Sequence, residues 1–148
     1  AIRTTARLDD VDPDRYAAIF FAGGHGAMWD LPQSSAVDRV TRSVFEAGGA
    51  VAAVCHGPAA LVNVRLSDGR YLVAGRNVSA FTDSEERAVG LDKTVPFLLA
   101  STLVERGATH HPAADWTSKV VVDGRLITGQ NPQSATGVGE ALRDLLSA

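Results

Sequence analysis

The stretch Ala17-Ala18-Ile19-Phe20-Phe21-Ala22 is a short, uninterrupted apolar run that stops at Gly23-Gly24. A run of that length without polar alternation fits a strand buried on both faces, as in a parallel sheet. A second run, Ala50-Val51-Ala52-Ala53-Val54, follows a segment that reads as a helix. Ser34 or Ser35 caps that helix, Val37, Val40, Val44 and Phe45 share one face, and it ends near Ala47, before Gly48-Gly49. Strand, helix and strand at this spacing make a βαβ unit, which commits the chain to an open α/β sheet with helices on both sides.

The remaining segments fit that frame. Pro58 opens a short buried helix from Ala59 to Val64, Val78 to Phe81 reads as a strand, and Ser84-Glu85-Glu86 starts another helix. Val95 to Glu105 is expected to be helical with Pro96 in its first turn and Phe97, Leu98, Leu99, Leu103 and Val104 inward. Val120 to Val122 and Leu126 to Thr128 flank Asp123-Gly124 and read as a small β-hairpin. Pro132 opens the last helix, whose apolar stripe is Val138, Leu142, Leu145 and Leu146.

At 148 residues, 45% of them apolar, the chain suits one domain spanning 1–148 with an adequate core. A net charge of -3 leaves no electrostatic footprint for nucleic acid or an anionic membrane, and no apolar run approaches the ~20 residues of a membrane helix. The single cysteine rules out an intrachain disulfide framework and a multi-cysteine zinc site, and favours a reducing, cytoplasmic setting.

Chemistry concentrates in Ala53-Val54-Cys55-His56-Gly57. A nucleophile on a tight strand-to-helix turn needs small residues two before and two after it, and Ala53 and Gly57 meet that demand. Cys55 would then project from the carboxyl edge of the sheet, with a helix N-terminus favouring its thiolate. The alternative is a small buried hydrophobe at a strand end. His56 is the adjacent general base, and Asp83, Glu85 and Glu86 are three local carboxylates that could orient it; spacing does not choose among them. Gly23-Gly24-His25-Gly26 follows the first strand at the same edge, where it is either an oxyanion-binding loop or a plain flexible turn. Its spacing lacks the third glycine of a dinucleotide fingerprint. Trp29 could wall the cleft, Trp116 reads as a packing anchor, and His110-His111-Pro112 as a strand-to-loop junction.

Four segments read together resemble the DJ-1/PfpI superfamily, and most closely its heat-shock-protein-31 branch of glutathione-independent glyoxalases. They are Phe21 to Asp30 (FAGGHGAMWD), Ala53 to Pro58 (AVCHGP), Phe81 to Glu86 (FTDSEE) and Thr128 to Ala135 (TGQNPQSA). The resemblance implies a flavodoxin-like sheet sandwiched by helices, a homodimer, and conversion of methylglyoxal or glyoxal to D-lactate or glycolate, with no cofactor or metal. It assigns Cys55 as nucleophile, His56 as base and Glu86 as orienting acid. Gly23, Gly24, His25 and Gly57 are assigned to the oxyanion and substrate, the amides of Gly24 and His56 facing the substrate oxygen. It also leaves open a protein deglycase, a cysteine peptidase, or a holdase chaperone and oxidation sensor. The absence of any His-x-Glu argues against amidotransferase chemistry, although the fold class carries that label.

Further expectations follow. The Cys55 thiol should titrate low, Glu85 should face solvent, and substitution of Glu85 should be mild. The chain opens on Ala1-Ile2-Arg3-Thr4-Thr5, after the point where the family supplies a βα unit with another acid beside the cysteine. Without that unit, the apolar sides of the Ala17 to Ala22 and Val51 to Val54 strands are expected to be open.

Overall fold

The computed structural model describes residues 4–148; Ala1, Ile2 and Arg3 of the opening stretch lie outside the described residues. The first apolar run forms β1 (Ala18–Phe21), followed by a short helix α1 (Ala27–Asp30), the longer α2 (Ser35–Glu46) and β2 (Ala50–Val54). Ser34 caps α2 by accepting a hydrogen bond from the amide of Val37, and Val37, Val40, Val44 and Phe45 are all buried beneath it. After β2 come a 3₁₀ turn over Gly57–Leu61, β3 (Asn77–Val78), α3 (Asp83–Ala88), α4 (Leu99–Glu105) and β4 (Thr109–His110). The chain closes with β5 (Val120–Asp123), β6 (Leu126–Gly129), a 3₁₀ turn at Pro132–Ser134 and α5 (Ala135–Ser147).

The main sheet has the order β1-β2-β6-β5, parallel throughout except for the antiparallel β5–β6 pair; β3 and β4 form a separate parallel pair. The hairpin is therefore an arm of the main sheet, with β6 central and fully buried. Alternation along β2 divides the core. Val51 and Ala53 pack with Val37 and Phe45 of α2, while Ala52 and Val54 pack with Ile127 and with Val138 of α5. This open, mainly parallel sheet between helices is the flavodoxin-like fold expected.

Several local expectations shift. The fourth helix begins at Leu99, not Val95, because Pro96 disfavours helical geometry at Val95 and Leu98 is still extended (φ −84°, ψ 118°). Val104, expected inward, is 52% exposed, and Leu146 of α5 is 50% exposed. The strand expected from Val78 to Phe81 stops at Val78, because side chains replace the ladder beyond it: Ser79 N donates to Thr128 Oγ1 and Ala80 N to His110 Nε2. The hairpin connection is Gly124-Arg125, one residue later than expected. Among the described residues β1 is a sheet edge with Phe20 half-exposed, but β2 is buried along its whole length, so the expected opening of Val51 to Val54 is not found.

Candidate active site

At the carboxyl end of β2 the chain turns sharply at Cys55, whose φ is +62°, a conformation rare for a side-chain-bearing residue. Backbone bonds hold it there: Cys55 N donates to Gly129 O at the end of β6, and Phe81 N donates to Cys55 O. The turn closes against β1, so the small neighbours are steric necessities. A Cβ on Gly57 would lie 2.2 Å from the Phe21 carbonyl oxygen, and one on Gly23 would lie 2.7 Å from the Cys55 Cβ. Gly57→Ala is expected to cost about 3 kcal/mol, seen as a fall of about 10 °C in melting temperature.

The elbow brings Cys55 to His56, with Sγ 3.4 Å from Nδ1, while His56 Nε2 lies 2.7 Å from Glu86 Oε2. Glu86 reaches this place from the first turn of α3, where its carboxylate is 97% covered. An ionised Glu86 only accepts, so the His56 proton sits on Nε2 and the Nδ1 lone pair faces the sulfur. The other carboxylate oxygen, Oε1, is 2.8 Å from His25 Nε2. The two imidazole centroids are 4.0 Å apart, and Phe81 packs against His56 at 4.3 Å and edge-on to His25 at 6.0 Å. The loop containing His25 was expected near substrate; that its ring would share Glu86 with His56 had no signal in the sequence.

Electrostatics overturn the expectation of an acidic thiol. Burial pushes the Cys55 thiol above its ordinary value, against the lowering effect of the His56 and Gly24 amides that face the sulfur; Glu85 and Glu86 raise it further. The turn after Cys55 is only a five-residue 3₁₀ segment, a weak source of dipole. Alkylation of Cys55 by iodoacetamide should accordingly show a midpoint above the free-cysteine value of about 8.5. Burial also lowers the His56 imidazole, more than Glu86 raises it, so His56 is neutral near pH 7 and able to accept a proton.

Glu85 is not on the solvent face. It is fully buried at the third position of α3, closing a capping box in which Thr82 Oγ1 accepts from Glu85 N and the Glu85 carboxylate accepts from Thr82 N. The carboxylate also accepts from Trp116 N, Gln130 Nε2 and Asn131 Nδ2. Burial alone would raise its pKa, but these donors outweigh it and hold the carboxyl below the usual range. The cage positions Glu86 next door and fixes Trp116, which has φ +62°, is 41% exposed, and packs edge-on to Phe81. Gln130 and Asn131 belong to the TGQNPQSA segment, yet nothing in their spacing pointed to Glu85.

The sulfur borders an open cleft of about 330 Å³ lined by Phe20, Ala22, Gly23, Gly24, Val54, Cys55, Pro132 and Ala135, without a charged side chain. Gly23 and Gly24 thus face the thiol, Gly57 is buried behind it, and Trp29 is half-exposed on α1 outside this cleft. An uncharged, small electrophile suits such a lining.

A model of the DJ-1/PfpI family matches residues 1–143. Glyoxalase 3 of Candida albicans is 35% identical over 146 residues, covering 95% of this chain and 62% of that protein. A probable glutathione-independent glyoxalase of Schizosaccharomyces pombe is 37% identical over 156 residues, covering 97% of this chain and 59% of its own length. The crystal structure of glyoxalase III from C. albicans superposes with a TM-score of 0.87 at 35% identity, covering 93% of this chain and 60% of that one. The rapid encystment protein of Francisella tularensis gives 0.93 at 42% identity, covering 95% and 63%. The chain spans about three fifths of the length of the curated relatives it matches. Among the described residues, no helix is long and apolar enough to cross a membrane.

Proposed function

The chain belongs to the DJ-1/PfpI family, and on that premise we propose that it carries the Cys-His-Glu site of a glutathione-independent glyoxalase, which turns a small 2-oxoaldehyde such as methylglyoxal into its 2-hydroxy acid. The observation that carries this reading is the contact of Cys55 Sγ with His56 Nδ1, at the edge of an uncharged cleft, while the Glu86 carboxylate holds Nε2 of the same ring. Relatives named as glyoxalases at 35% and 37% identity support the reaction class.

The chemistry follows from the proton inventory. Cys55 starts as a thiol, so its S–H proton passes to His56 Nδ1 as sulfur attacks the aldehyde carbon C1. The imidazolium is stabilised by Glu86, and returning the proton to the new alkoxide gives a hemithioacetal. His56 then removes the C1 hydrogen. The bonding pair forms a C1=C2 double bond, and the ketone oxygen takes up a proton to give an enediol. Protonation at C2 and loss of the C1 hydroxyl proton give a thioester, which water cleaves to the hydroxy acid, restoring the thiol. The sequence is an internal redox isomerisation plus one water, so no external oxidant enters. The amides of Gly24 and His56, which face the sulfur, would also stabilise the C1 oxyanion, an effect of about 3 kcal/mol per donor.

The family resemblance supports a homodimer, and the lone cysteine supports a cytoplasmic setting. Lactate formation from methylglyoxal with no added thiol, compared with Cys55→Ala, tests the reaction. The variant is expected to be inactive, and equal rates for the two proteins would overturn the reading. Client protection that survives Cys55→Ala in protein without aldehyde turnover would favour the holdase alternative.

A further inference from the structure

We propose that His25, His56 and Glu86 form a binding site for one divalent cation of the zinc class, and that its occupation switches off Cys55. The inhibitory consequence rests on the reaction proposed above; the binding does not.

The imidazole nitrogens and a carboxylate oxygen of these three residues all lie within 4.8 Å of one another. They come from three separate elements: the loop after β1, the elbow after β2, and the first turn of α3. Two imidazoles and one carboxylate, with a fourth position left to water, is a donor set suited to zinc, cobalt or nickel, whereas magnesium and calcium prefer oxygen alone. Glu86 presents one oxygen to each ring, at 2.8 Å for His25 and 2.7 Å for His56. Around a tetrahedral ion with bonds near 2.0 Å the donors sit about 3.3 Å apart, so the two carboxylate-to-imidazole contacts must lengthen by about half an ångström while the set as a whole, spread within 4.8 Å, draws together on one ion. His56 and Glu86 are almost fully buried, but the His25 side chain is 33% exposed, which leaves an approach for the ion and room for the water. The surroundings are built to hold ligands still: Phe81 packs on His56, and the Thr82–Glu85 capping box anchors the start of α3.

Occupation reverses the tautomer that the reaction requires. Without the ion, the Nε2–H groups point at Glu86 and the Nδ1 of His56 is free to take the thiol proton. With the ion on Nε2, each imidazole carries its proton on Nδ1, so His56 donates toward the sulfur and can no longer accept from it. The ion also occupies the carboxylate that would stabilise the imidazolium.

Cobalt is the probe, because its visible spectrum reports coordination and needs no substrate. Chelator-treated protein titrated with Co²⁺ is expected to bind one equivalent, giving the d–d bands of a four- or five-coordinate nitrogen and oxygen site. Zn²⁺ should displace it and excess Mg²⁺ should not. His25→Ala, on a part-exposed loop, is expected to weaken cobalt binding about 100-fold or more. Cys55→Ser is expected to retain the spectrum. Failure of the unmodified protein to bind a stoichiometric ion would overturn the site, as would unchanged affinity in His25→Ala. A sulfur-to-cobalt charge-transfer band that disappears in Cys55→Ser would overturn this ligand set by placing the thiolate in it. Binding is read apart from turnover, so a glyoxalase reading that fails leaves this result standing, and the reverse holds as well.

Discussion

Glu86→Gln is expected to lower kcat for methylglyoxal about 10³-fold while the melting temperature stays close to that of the unsubstituted protein. The carboxylate sits 2.7 Å from His56 Nε2 and determines that the proton resides there, leaving Nδ1 as the acceptor for the Cys55 proton. An amide of the same shape can present its NH₂ group to Nε2 and stabilise the opposite tautomer, and it supplies no negative charge to an imidazolium; loss of a comparable orienting carboxylate costs about 10⁴ in a serine hydrolase. The fold should tolerate the change because volume is conserved and an amide can still bond to both imidazoles. Stopped or steady-state lactate assays beside calorimetry separate the two effects. A variant that retains more than about a tenth of the rate would show that another group orients His56.

Glu85→Gln, one residue away, should do the opposite. It is expected to destabilise the fold by about 3 kcal/mol, a loss of roughly 10 °C in melting temperature, chiefly by leaving donors without an acceptor. The Glu85 carboxylate accepts from Thr82 N, Trp116 N, Gln130 Nε2 and Asn131 Nδ2, all donors, and the NH₂ of glutamine would face some of them. Its acid dependence has a definite sign. Burial opposes the charge, but the hydrogen bonds prevail and the folded-state pKa is depressed. The stability contributed by Glu85 is therefore fully present above the unfolded-state value of about 4.3 and is lost as pH falls through the lower folded value. Urea midpoints measured from pH 7 downward should fall more steeply below about pH 5 in the unsubstituted protein than in Glu85→Gln. Parallel curves would place the acid sensitivity elsewhere.

These neighbouring glutamates take opposite roles although the residues around them in the chain are the same. Uninterrupted apolar runs for β1 and β2, the Ser34 cap and apolar face of α2, and the small residues around Cys55 are local signals, and each produced the element expected of it. They suffice because strand burial, capping and tight turns depend on residues only a few positions apart. The four motif segments carried the resemblance that selected Glu86 among three carboxylates, and that carboxylate lies against His56. Tertiary structure decided the rest. Consecutive side chains on a helix point about 100° apart, so which acid turns toward the sheet and which turns into the Gln130–Asn131 cage is set by how α3 docks. The pairing of His25 with Glu86 spans 61 positions, and the height of the Cys55 pKa depends on how much protein surrounds the sulfur. Desolvation and long-range pairing are properties of the assembled interior, so no local pattern of residues encodes them.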